Sequence, residues 1–346
     1  MEDATHISVK VSNGQYNVSI GRGALKALPL ELSRLNIPRV CVVSDSTVAR
    51  LHWSGLSSVL PQGSVFFEFP YGESSKTPET VLKILNFLAD NGFTRNDAVL
   101  AFGGGVTGDV AGFAASVYLR GIRVVQMPTT LLAAIDSSVG GKTGVDLPQG
   151  KNLMGSFWQP SAVICDTELL ETLPQEDYLD GIAEALKCGV IGDEGLFGLL
   201  EECDDVRGIA GEIISPCVSL KARFVEMDEF DRGDRALLNF GHTIGHAVEL
   251  ASDYGISHGR AVGIGMVRMT RYAEKRGLCH DGLSNRIANV LKRHGLPTEC
   301  DYSWAELKNG ILHDKKRAAS DMRIVYPLEI GHCVSRLVPT EELVEI

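Results

Sequence analysis

The chain has 346 residues, of which 44% are hydrophobic and 22% charged, a composition typical of globular proteins that fold in water. This length predicts two domains, each able to bury its own core. The net charge of −11 argues against nucleic-acid and anionic-membrane partners, and an anionic substrate would need a locally basic pocket. The eight cysteines are scattered without a C-x-x-C pair, which favours a reduced, cytoplasmic protein. We expect neither a signal peptide nor a membrane span, because the N-terminus is polar and no apolar run is long enough.

The first half has the alternating strand and helix signals of an α/β domain. Residues 5–20 alternate apolar and polar side chains around Asn13-Gly14, which predicts a β-hairpin. A buried strand within 39–51 ends in Ser-Asp-Ser-Thr. This places Asp45 at a carboxyl strand end, where open α/β sheets bind ligands. Further strands are predicted within 65–76 and 162–170, and an amphipathic helix over 76–92.

A glycine-rich segment follows the predicted strand Val99–Phe102, and a helix is predicted from Asp109 onward. The spacing Gly103-x-Gly105-x-x-Gly108 fits the dinucleotide fingerprint, whose helix N-terminus faces a pyrophosphate. That fingerprint calls for an acidic residue about twenty residues further on, and the sequence has none there. Asp45 and Glu73, upstream, are the candidates for the ribose. We therefore predict a nucleotide site of non-standard chain order; the alternative is a tight turn without a ligand.

Two basic corners lie beyond the predicted strand Val124–Met127 and a short helix that ends near Ser138. They are Gly140-Gly141-Lys142 and Gly150-Lys151-Asn152. Glycine lets a backbone approach an oxyanion while lysine adds a point charge, so both corners suit an anionic ligand. The alternative for either lysine is a solvated charge on a β-hairpin.

The second half, after Pro174, is dominated by helix signals. Helices are predicted over 176–191, 195–203, 208–229, 236–252, 258–277, 281–294 and 304–313, with a terminal hairpin over 321–339. The predicted fold is an α/β, Rossmann-like nucleotide-binding domain of non-standard order over 1–174 and a mainly α-helical metal- and substrate-binding domain over 175–346. A cleft is expected between the two domains.

Three histidines in the segment 235–266 suggest a metal site. His242 and His246 are four residues apart and share one helix face, and His258 opens the next helix. Glu184 and Lys187 form a charged i, i+3 pair in a small, apolar surround, which is unusual unless the pair is liganded. Glu184, His242 and His258 would make a two-histidine, one-carboxylate site with open positions. The alternatives are ordinary core or surface histidines and a surface ion pair.

Ten further motifs occur in a fixed order along the chain. They are GGGVTGD (103–109), YLRG (118–121), PTTLLAAIDSSVGGKTG (128–144), GKN (150–152), QP (159–160), TLP (172–174), GIAEALKCGVI (181–191), RALLNFGHTIGHAVE (235–249), HGRAVGIGM (258–266) and DKK (314–316). In these motifs, over nearly its whole length, the chain resembles the 3-dehydroquinate synthases of the sugar-phosphate cyclase superfamily.

The resemblance implies a set of functional residues. The implied metal ligands are Glu184, His242 and His258, and the implied catalytic residues are His246, Lys142, Lys187, Asn239 and Asp136. Implied substrate contacts are Asn152, Lys221, Arg235, Lys316 and Arg120. Implied NAD contacts are Asp45, Glu73, Lys76, Gly104, Gly105, Val106, Asp109, Thr129, Thr130, Lys142, Lys151 and Thr172.

Some of these assignments carry a qualification. Arg120 matches an arginine that reaches the partner subunit's active site, which implies a homodimer. Of Lys315 and Lys316 we favour the second as a phosphate contact. Two positions depart from the family pattern: Asp231 stands where glutamate is expected, and Asp146 where asparagine is more frequent.

The resemblance also implies a reaction of the shikimate pathway, which leads to chorismate and the aromatic amino acids. A lyase of this family converts 3-deoxy-D-arabino-heptulosonate 7-phosphate to 3-dehydroquinate and phosphate. NAD oxidises a ring hydroxyl transiently, phosphate leaves by β-elimination, the hydride returns, and an intramolecular aldol step closes the carbocycle. Zinc or cobalt would stabilise the developing alkoxide, and His246 would carry the proton.

Other functions stay open from the sequence. A sister cyclase, such as an aminodehydroquinate, 2-deoxy-scyllo-inosose or valiolone-type synthase, would share most of these groups. Arg235, Lys221 and His246 together favour a carboxylated substrate. A metal-dependent NAD polyol dehydrogenase would not need the phosphate-binding lysines, and a non-catalytic nucleotide-binding regulator would leave the metal ligands unexplained.

Overall fold

The computed structural model describes residues 4–304, 306–307 and 321–339. The strands are β1 (Thr5–Val11), β2 (Gly14–Gly21), β3 (Val40–Asp45), β4 (Val65–Phe69), β5 (Ala98–Gly103), β6 (Arg123–Pro128), β7 (Lys142–Leu147), β8 (Gly150–Phe157), β9 (Ala162–Asp166), β10 (Asp321–Glu329) and β11 (His332–Pro339). The helices are α1 (Leu28–Arg34), α2 (Ser46–Ser57), α3 (Pro78–Asp90), α4 (Gly105–Val117), α5 (Gln175–Gly192), α6 (Glu194–Glu202), α7 (Ala210–Met227), α8 (His242–Ala251), α9 (His258–Lys275) and α10 (Leu283–Arg293). None of the helices described is long and apolar enough to cross a membrane.

The chain divides into two compact units. The first comprises Met1–Pro174 with Ala210–Phe230, and the second Gln175–Ile209 with Asp231–Ile346. The predicted domain limit at 174/175 coincides with one of these boundaries. The segment around α7, however, was expected in the second domain and groups with the first. The reason is tertiary packing, since α7 lies against β1 and β2, and Glu226 near the C-terminal end of α7 accepts a hydrogen bond from the backbone of Lys10.

The first unit is built on a seven-stranded sheet in the order β1-β2-β9-β6-β5-β3-β4. β1 is antiparallel to β2, as the predicted hairpin requires, and the other neighbours are parallel. β3 and β5 are buried along their whole length, as strands covered on both faces are. From β3 the chain moves to β4 on one side and then returns to β5 on the other. The carboxyl ends of β3 and β5 therefore form the switch point where open α/β sheets bind ligands, and the predicted Rossmann-like fold of non-standard order is confirmed.

The glycine-rich turn after β5 is shorter than predicted. The helix begins at Gly105 rather than at Asp109, with Gly104 as its N-cap. A Cβ at Gly103 would overlap the hydroxyl of Thr107, so the missing side chain lets β5 end directly against the first turn of α4. The small residues of that turn are thus part of the helix.

In its described residues the second unit contains α5, α6, α8, α9 and α10 with the hairpin β10–β11, which confirms the predicted mainly helical character. α5 packs against α6 and α9 and is buried over most of its length. The hairpin is attached to it by a hydrogen bond of 3.1 Å from the Gly331 N–H to the Val190 carbonyl. The predicted helix 304–313 lies mostly outside the described residues.

The prediction of a single helix over 236–252 is wrong. The chain forms a 3-10 turn over Asp234–Asn239 and then starts α8 at His242. Gly241 between them has φ +80°, a left-handed conformation that a side chain disfavours. A Cβ there would lie 2.8 Å from the Val262 carbonyl oxygen. This close packing interrupts the helix, so Arg235 and Asn239 lie on the preceding turn and not on the helix of the histidines.

Helices α8 and α9 touch through their backbones. A Cβ at Gly245 would lie 3.1 Å from Val262 Cα, and one at Gly265 would overlap the carbonyl oxygen of Gly241. Glycine on both helices removes the side chains that would hold them apart. The first residues of the two helices, His242 and His258, are thereby brought near each other, with ring centroids 5.1 Å apart.

Candidate metal and cofactor sites

Three helices of the second unit bring together the predicted metal ligands. Glu184 lies within α5, whereas His242 and His258 are the first residues of α8 and α9. One donor atom of each lies within 4.8 Å of the other two. Both histidine Nε2 atoms lie 3.8 Å from Glu184 Oε1. The donors come from residues far apart in sequence and converge on one point.

The chemistry of these donors fits a small divalent metal. The side chain of Glu184 is only 1% exposed, and its Oε2 accepts a hydrogen bond of 2.5 Å from Lys187 Nζ. Its Oε1 is buried and has no hydrogen-bond partner within the described residues. Leaving a buried carboxylate oxygen unpartnered is costly. Two imidazole nitrogens and one carboxylate oxygen are the donors that zinc and cobalt accept at open sites.

The alternative interpretation of Glu184 and Lys187 as a surface ion pair is wrong. The two side chains are 1% and 2% exposed, because α5 is enclosed by α6, α9 and the hairpin. The pair therefore lies in the core, where Lys187 offsets the negative charge of Glu184 on one oxygen only.

The protonation preferences of the two histidines differ. Burial and the positive charge of Lys187 lower the pKa of His242 well below its ordinary value, so its ring is neutral. Its Nδ1 donates to the Phe240 carbonyl at 3.2 Å, which leaves the Nε2 lone pair for a metal. Burial opposes a charge on His258, but its hydrogen bond to Glu249 and the negative charge of Glu184 outweigh burial and raise its pKa.

His246 lies beside the cluster. Its ring centroid is 5.3 Å from that of His242 and 6.0 Å from that of His258, and its side chain is exposed. Of the substrate residues predicted nearby in sequence, Asn239 is exposed and Arg235 is 2% exposed. The exposed ring of His246 next to the predicted ligands suits a residue that exchanges protons with a substrate or with solvent.

The first unit carries the predicted nucleotide site at the switch point. Asp45 is buried at the end of β3, and its Oδ1 accepts the backbone N–H groups of Thr47 and Val48 at 2.9 and 3.1 Å. Its Oδ2 accepts a hydrogen bond of 3.4 Å from the Thr107 hydroxyl. At α4, Gly104 supplies no side-chain cap, so the first N–H groups of this helix are open to an anion.

Several other predicted NAD contacts of the first unit form ion pairs or hydrogen bonds with neighbouring side chains. The buried Lys76 lies 2.7 Å from Asp109. Burial opposes its charge, but the charge and hydrogen bond of Asp109, together with the charges of Glu73 and Asp146, outweigh burial and raise the pKa of Lys76. Lys151 lies 3.8 Å from Glu73. The Thr172 hydroxyl is 2.8 Å from His52 Nε2. The buried Thr129 hydroxyl has no hydrogen-bond partner among the described residues, and such an orphan suits a ligand contact.

The predicted catalytic Asp136 sits on a π-helical turn, Ala133–Ser137, a feature frequent at functional sites. Lys221 of α7 donates to Asp136 Oδ1 at 2.5 Å and also to the Asp136 carbonyl. Two residues that the sequence assigned to one substrate are thus in direct contact within the first unit. The packing of α7 on this unit makes the contact possible.

The remaining predicted substrate residues of the first unit are exposed. Lys142 begins β7, and Asn152 on β8 has φ +56° with its N–H donating to Asp146 Oδ1 at 2.7 Å. Asp146, one of the two departures from the family pattern, thus holds the basic corner at Asn152. Arg120 is exposed with φ +67°. Lys316 lies outside the described residues.

Sequence reasoning missed two groups that orient the predicted ligands, Glu249 and the Phe240 carbonyl. Glu249 is buried and lies 3.2 Å from His258 Nδ1. Its spacing held a usable signal, because His242, His246 and Glu249 are at i, i+4 and i+7 and share one helix face. The carbonyl had no such signal, since its position depends on the turn before α8.

Family models and curated relatives identify the family of this chain. A family model described as 3-dehydroquinate synthase N-terminal matches residues 66–180, and one described as 3-dehydroquinate synthase C-terminal matches residues 181–317. The chain belongs to the 3-dehydroquinate synthase family. A 3-dehydroquinate synthase of Streptococcus sanguinis (strain SK36) is 41% identical, covering 98% of both chains. The resemblance read from the motifs is confirmed.

Solved structures of related cyclases share the fold of this family. A 2-deoxy-scyllo-inosose synthase complexed with carbaglucose-6-phosphate, NAD+ and Co2+ is 26% identical with a TM-score of 0.86, over 97% of this chain and 96% of that one. ValA, a 2-epi-5-epi-valiolone synthase from Streptomyces hygroscopicus subsp. jinggangensis 5008 with NAD+ and Zn2+ bound, is 30% identical with a TM-score of 0.85, over 96% and 95%. The 3-dehydroquinate synthase is thus closer in sequence than either sister cyclase.

Proposed function

We propose that this protein is a 3-dehydroquinate synthase. It converts 3-deoxy-D-arabino-heptulosonate 7-phosphate to 3-dehydroquinate and phosphate in the shikimate pathway. The observation that carries the proposal is Oε1 of Glu184, which has no hydrogen-bond partner among the described residues and faces two imidazole nitrogens in a chain of this family. Bound NAD would supply reversible hydride transfer, and a bound Zn2+ or Co2+ would stabilise negative charge on a substrate oxygen.

In the second unit, Glu184, His242 and His258 hold the metal. Lys187 fixes the orientation of Glu184 through the hydrogen bond to its Oε2. His246 moves the proton of the substrate hydroxyl, for which its exposed ring beside the ligands is suited. Asn239 and Arg235 contact the substrate, and the guanidinium of Arg235 suits a carboxylate.

In the first unit, the N-terminus of α4 binds the pyrophosphate of NAD. Asp45 and Glu73 serve the ribose, because no acidic residue follows the fingerprint at the standard distance. The remaining NAD contacts are Lys76, Gly104, Gly105, Val106, Asp109, Thr129, Thr130, Lys142, Lys151 and Thr172.

The substrate's anionic groups need cations. In the proposal Lys142, Asn152 and Lys316 contact the phosphate together with Lys187, and Lys221 supplies positive charge beside Asp136. Arg120 serves the active site of a partner subunit, so the enzyme is a homodimer, and it acts in the cytoplasm.

The proposal is tested by supplying purified protein with NAD, Co2+ or Zn2+, and the heptulosonate phosphate. We expect one phosphate and one 3-dehydroquinate for each substrate consumed, without accumulation of NADH, because the hydride returns within each turnover. Parallel assays use the amino analogue, a hexose phosphate and a heptulose phosphate without a carboxylate. Faster turnover of any of these would assign a sister cyclase. NADH build-up with a simple polyol, and no phosphate release, would assign a dehydrogenase.

A further inference from the structure

The imidazole of His258 lies between two buried carboxylates. Its Nε2 faces Glu184 Oε1 at 3.8 Å, and its Nδ1 lies 3.2 Å from Glu249 Oε2. Glu249 sits on α8 and is 7% exposed. The second distance is that of a hydrogen bond and the first is not. Glu249 therefore controls the ring from the side opposite the predicted metal.

A neutral imidazole carries one proton, and its other nitrogen offers a lone pair. A metal ligand must present the lone pair, so Nε2 of His258 has to be free of its proton. Oε1 of Glu184, however, has no hydrogen-bond partner in the described part of the chain, and as an acceptor it would favour a proton on Nε2 in the metal-free protein. A second acceptor on the Nδ1 side is needed to keep the proton there.

We propose that Glu249 is the positioning residue that holds the His258 proton on Nδ1 and so presents the Nε2 lone pair to the metal. The equivalent task at His242 falls to the Phe240 carbonyl, which accepts from Nδ1 at 3.2 Å. Carboxylates and carbonyls commonly orient metal-binding histidines in this way. The inference deepens the proposed function, because it rests on the metal site assigned there.

A second metal at the other side of His258 is the competing interpretation. His246, Glu249 and His258 also place one donor atom each within 4.8 Å of one another. A ring that bound metals through both nitrogens would have to lose both protons. The Nδ1 proton instead has an acceptor at hydrogen-bonding distance, so the geometry favours one metal and one hydrogen bond.

The test is a Co2+ titration of metal-free, full-length protein with the variants Glu249→Ala and Glu249→Gln. The second keeps the side-chain volume in case the first does not fold. We expect one Co2+ per wild-type chain, with affinity lowered about 10- to 100-fold in Glu249→Ala and lowered less in Glu249→Gln, whose amide oxygen is a weaker acceptor for the Nδ1 proton. The matched control is Glu274→Gln on α9. Glu274 accepts hydrogen bonds from Ser284 at 2.6 and 2.8 Å, so its loss should leave Co2+ affinity unchanged.

The tautomer is read directly by nitrogen NMR of the metal-free proteins. At a pH at which both rings are neutral, the proton of both histidines in the wild type should be on Nδ1. In Glu249→Ala the Nε2-protonated form of His258 should appear, while His242 keeps its tautomer because its acceptor is a backbone group. A purely structural role of Glu249 would not produce this selective change.

Two results would overturn the inference. One is wild-type Co2+ affinity together with an unchanged His258 tautomer in both Glu249 variants. The other is binding of two Co2+ per wild-type chain with loss of only one in the variants. Failure of the wild-type protein to bind Co2+ at all is a different result, since it would remove the proposed function itself.

Discussion

Asp166 in the first unit and Glu184 in the second are both buried carboxylates, but their hydrogen bonding differs. Asp166 accepts three backbone N–H groups, with Oδ1 2.9 Å from Gly23 N and 3.0 Å from Glu168 N, and Oδ2 2.8 Å from Leu25 N. Among the described residues, Glu184 accepts a side-chain hydrogen bond only from Lys187, at one oxygen. The hydrogen bonds of Asp166 hold the turn at residues 23–25 against the end of β9, which is a structural role. A buried carboxylate oxygen without such hydrogen bonds from the described residues, as in Glu184, is stabilised only when a ligand binds to it. Burial of an acidic residue therefore does not by itself mark a functional site; the unused acceptor does.

The largest effect is expected for Glu184→Gln. This variant keeps the side-chain volume but removes the charge, so metal should be lost. Since the metal's stabilisation of the transition state is worth several kcal/mol, turnover should fall by about three orders of magnitude or more. Bound metal is measured by elemental analysis and turnover by phosphate release. Full metal content with normal turnover in this variant would remove Glu184 from the site.

Asp166→Ala should give the reverse pattern. Three backbone N–H groups would lose their acceptor in a buried position, which we expect to cost about 3 kcal/mol of unfolding free energy and to lower Tm by roughly 5–10 °C. Metal content per folded chain should stay at the wild-type level. Thermal unfolding and elemental analysis of the same samples check both halves, and Glu184→Gln serves as the matched variant with the opposite expectation.

The smallest effect is expected for Asp97, a third buried carboxylate, and it concerns how the stability of the protein depends on pH. Burial would raise the pKa of Asp97, but hydrogen bonds from the Thr94 backbone and from Arg39 outweigh it and hold the pKa below its ordinary value. A carboxyl group whose pKa is lowered on folding stabilises the protein fully above its unfolded pKa of about 3.9. That contribution is lost as the pH falls below about 4. Asp97→Asn should therefore be less stable than wild type near neutral pH, and the gap should shrink in acid. A gap that widens in acid would contradict this reasoning.

Local patterns predicted most of the fold. Asn13-Gly14 predicted the first hairpin, and the alternation of strands and helices predicted the α/β unit, since both depend on neighbours in sequence. The break at Gly241 and the grouping of α7 with the first unit could not be predicted in this way. Both are decided by what the segment packs against, namely α9 in one case and β1 with β2 in the other.

The site was predicted as a set of residue types rather than as a geometry. Residue types suggested Glu184, His242 and His258 as one site but left ordinary histidines and an ion pair open, and the family resemblance favoured these three as ligands and gave His246 a separate role. In the structure Glu184 Oε1 is equally distant from His242 and His258. The i, i+4, i+7 spacing placed Glu249 on the helix face of His242 and His246, but its hydrogen-bond partner His258 lies on the next helix, and spacing within one helix does not identify that partner.

The glycines that let α8 and α9 touch also bear on which ions the site can accept. A contact between backbones, unlike one between side chains, cannot be widened by a change of rotamer. Since His242 and His258 each begin one of these helices, main-chain contacts set the distance between the two backbones that carry the rings. Zinc binds imidazole nitrogen at about 2.0–2.1 Å, whereas calcium needs six to eight oxygen ligands at about 2.3–2.6 Å. In the proposed function, two imidazole donors and one carboxylate therefore favour zinc or cobalt over calcium. Gly265→Ala would press a Cβ against the Gly241 carbonyl and would displace the two ligand helices from a position that is not itself a ligand.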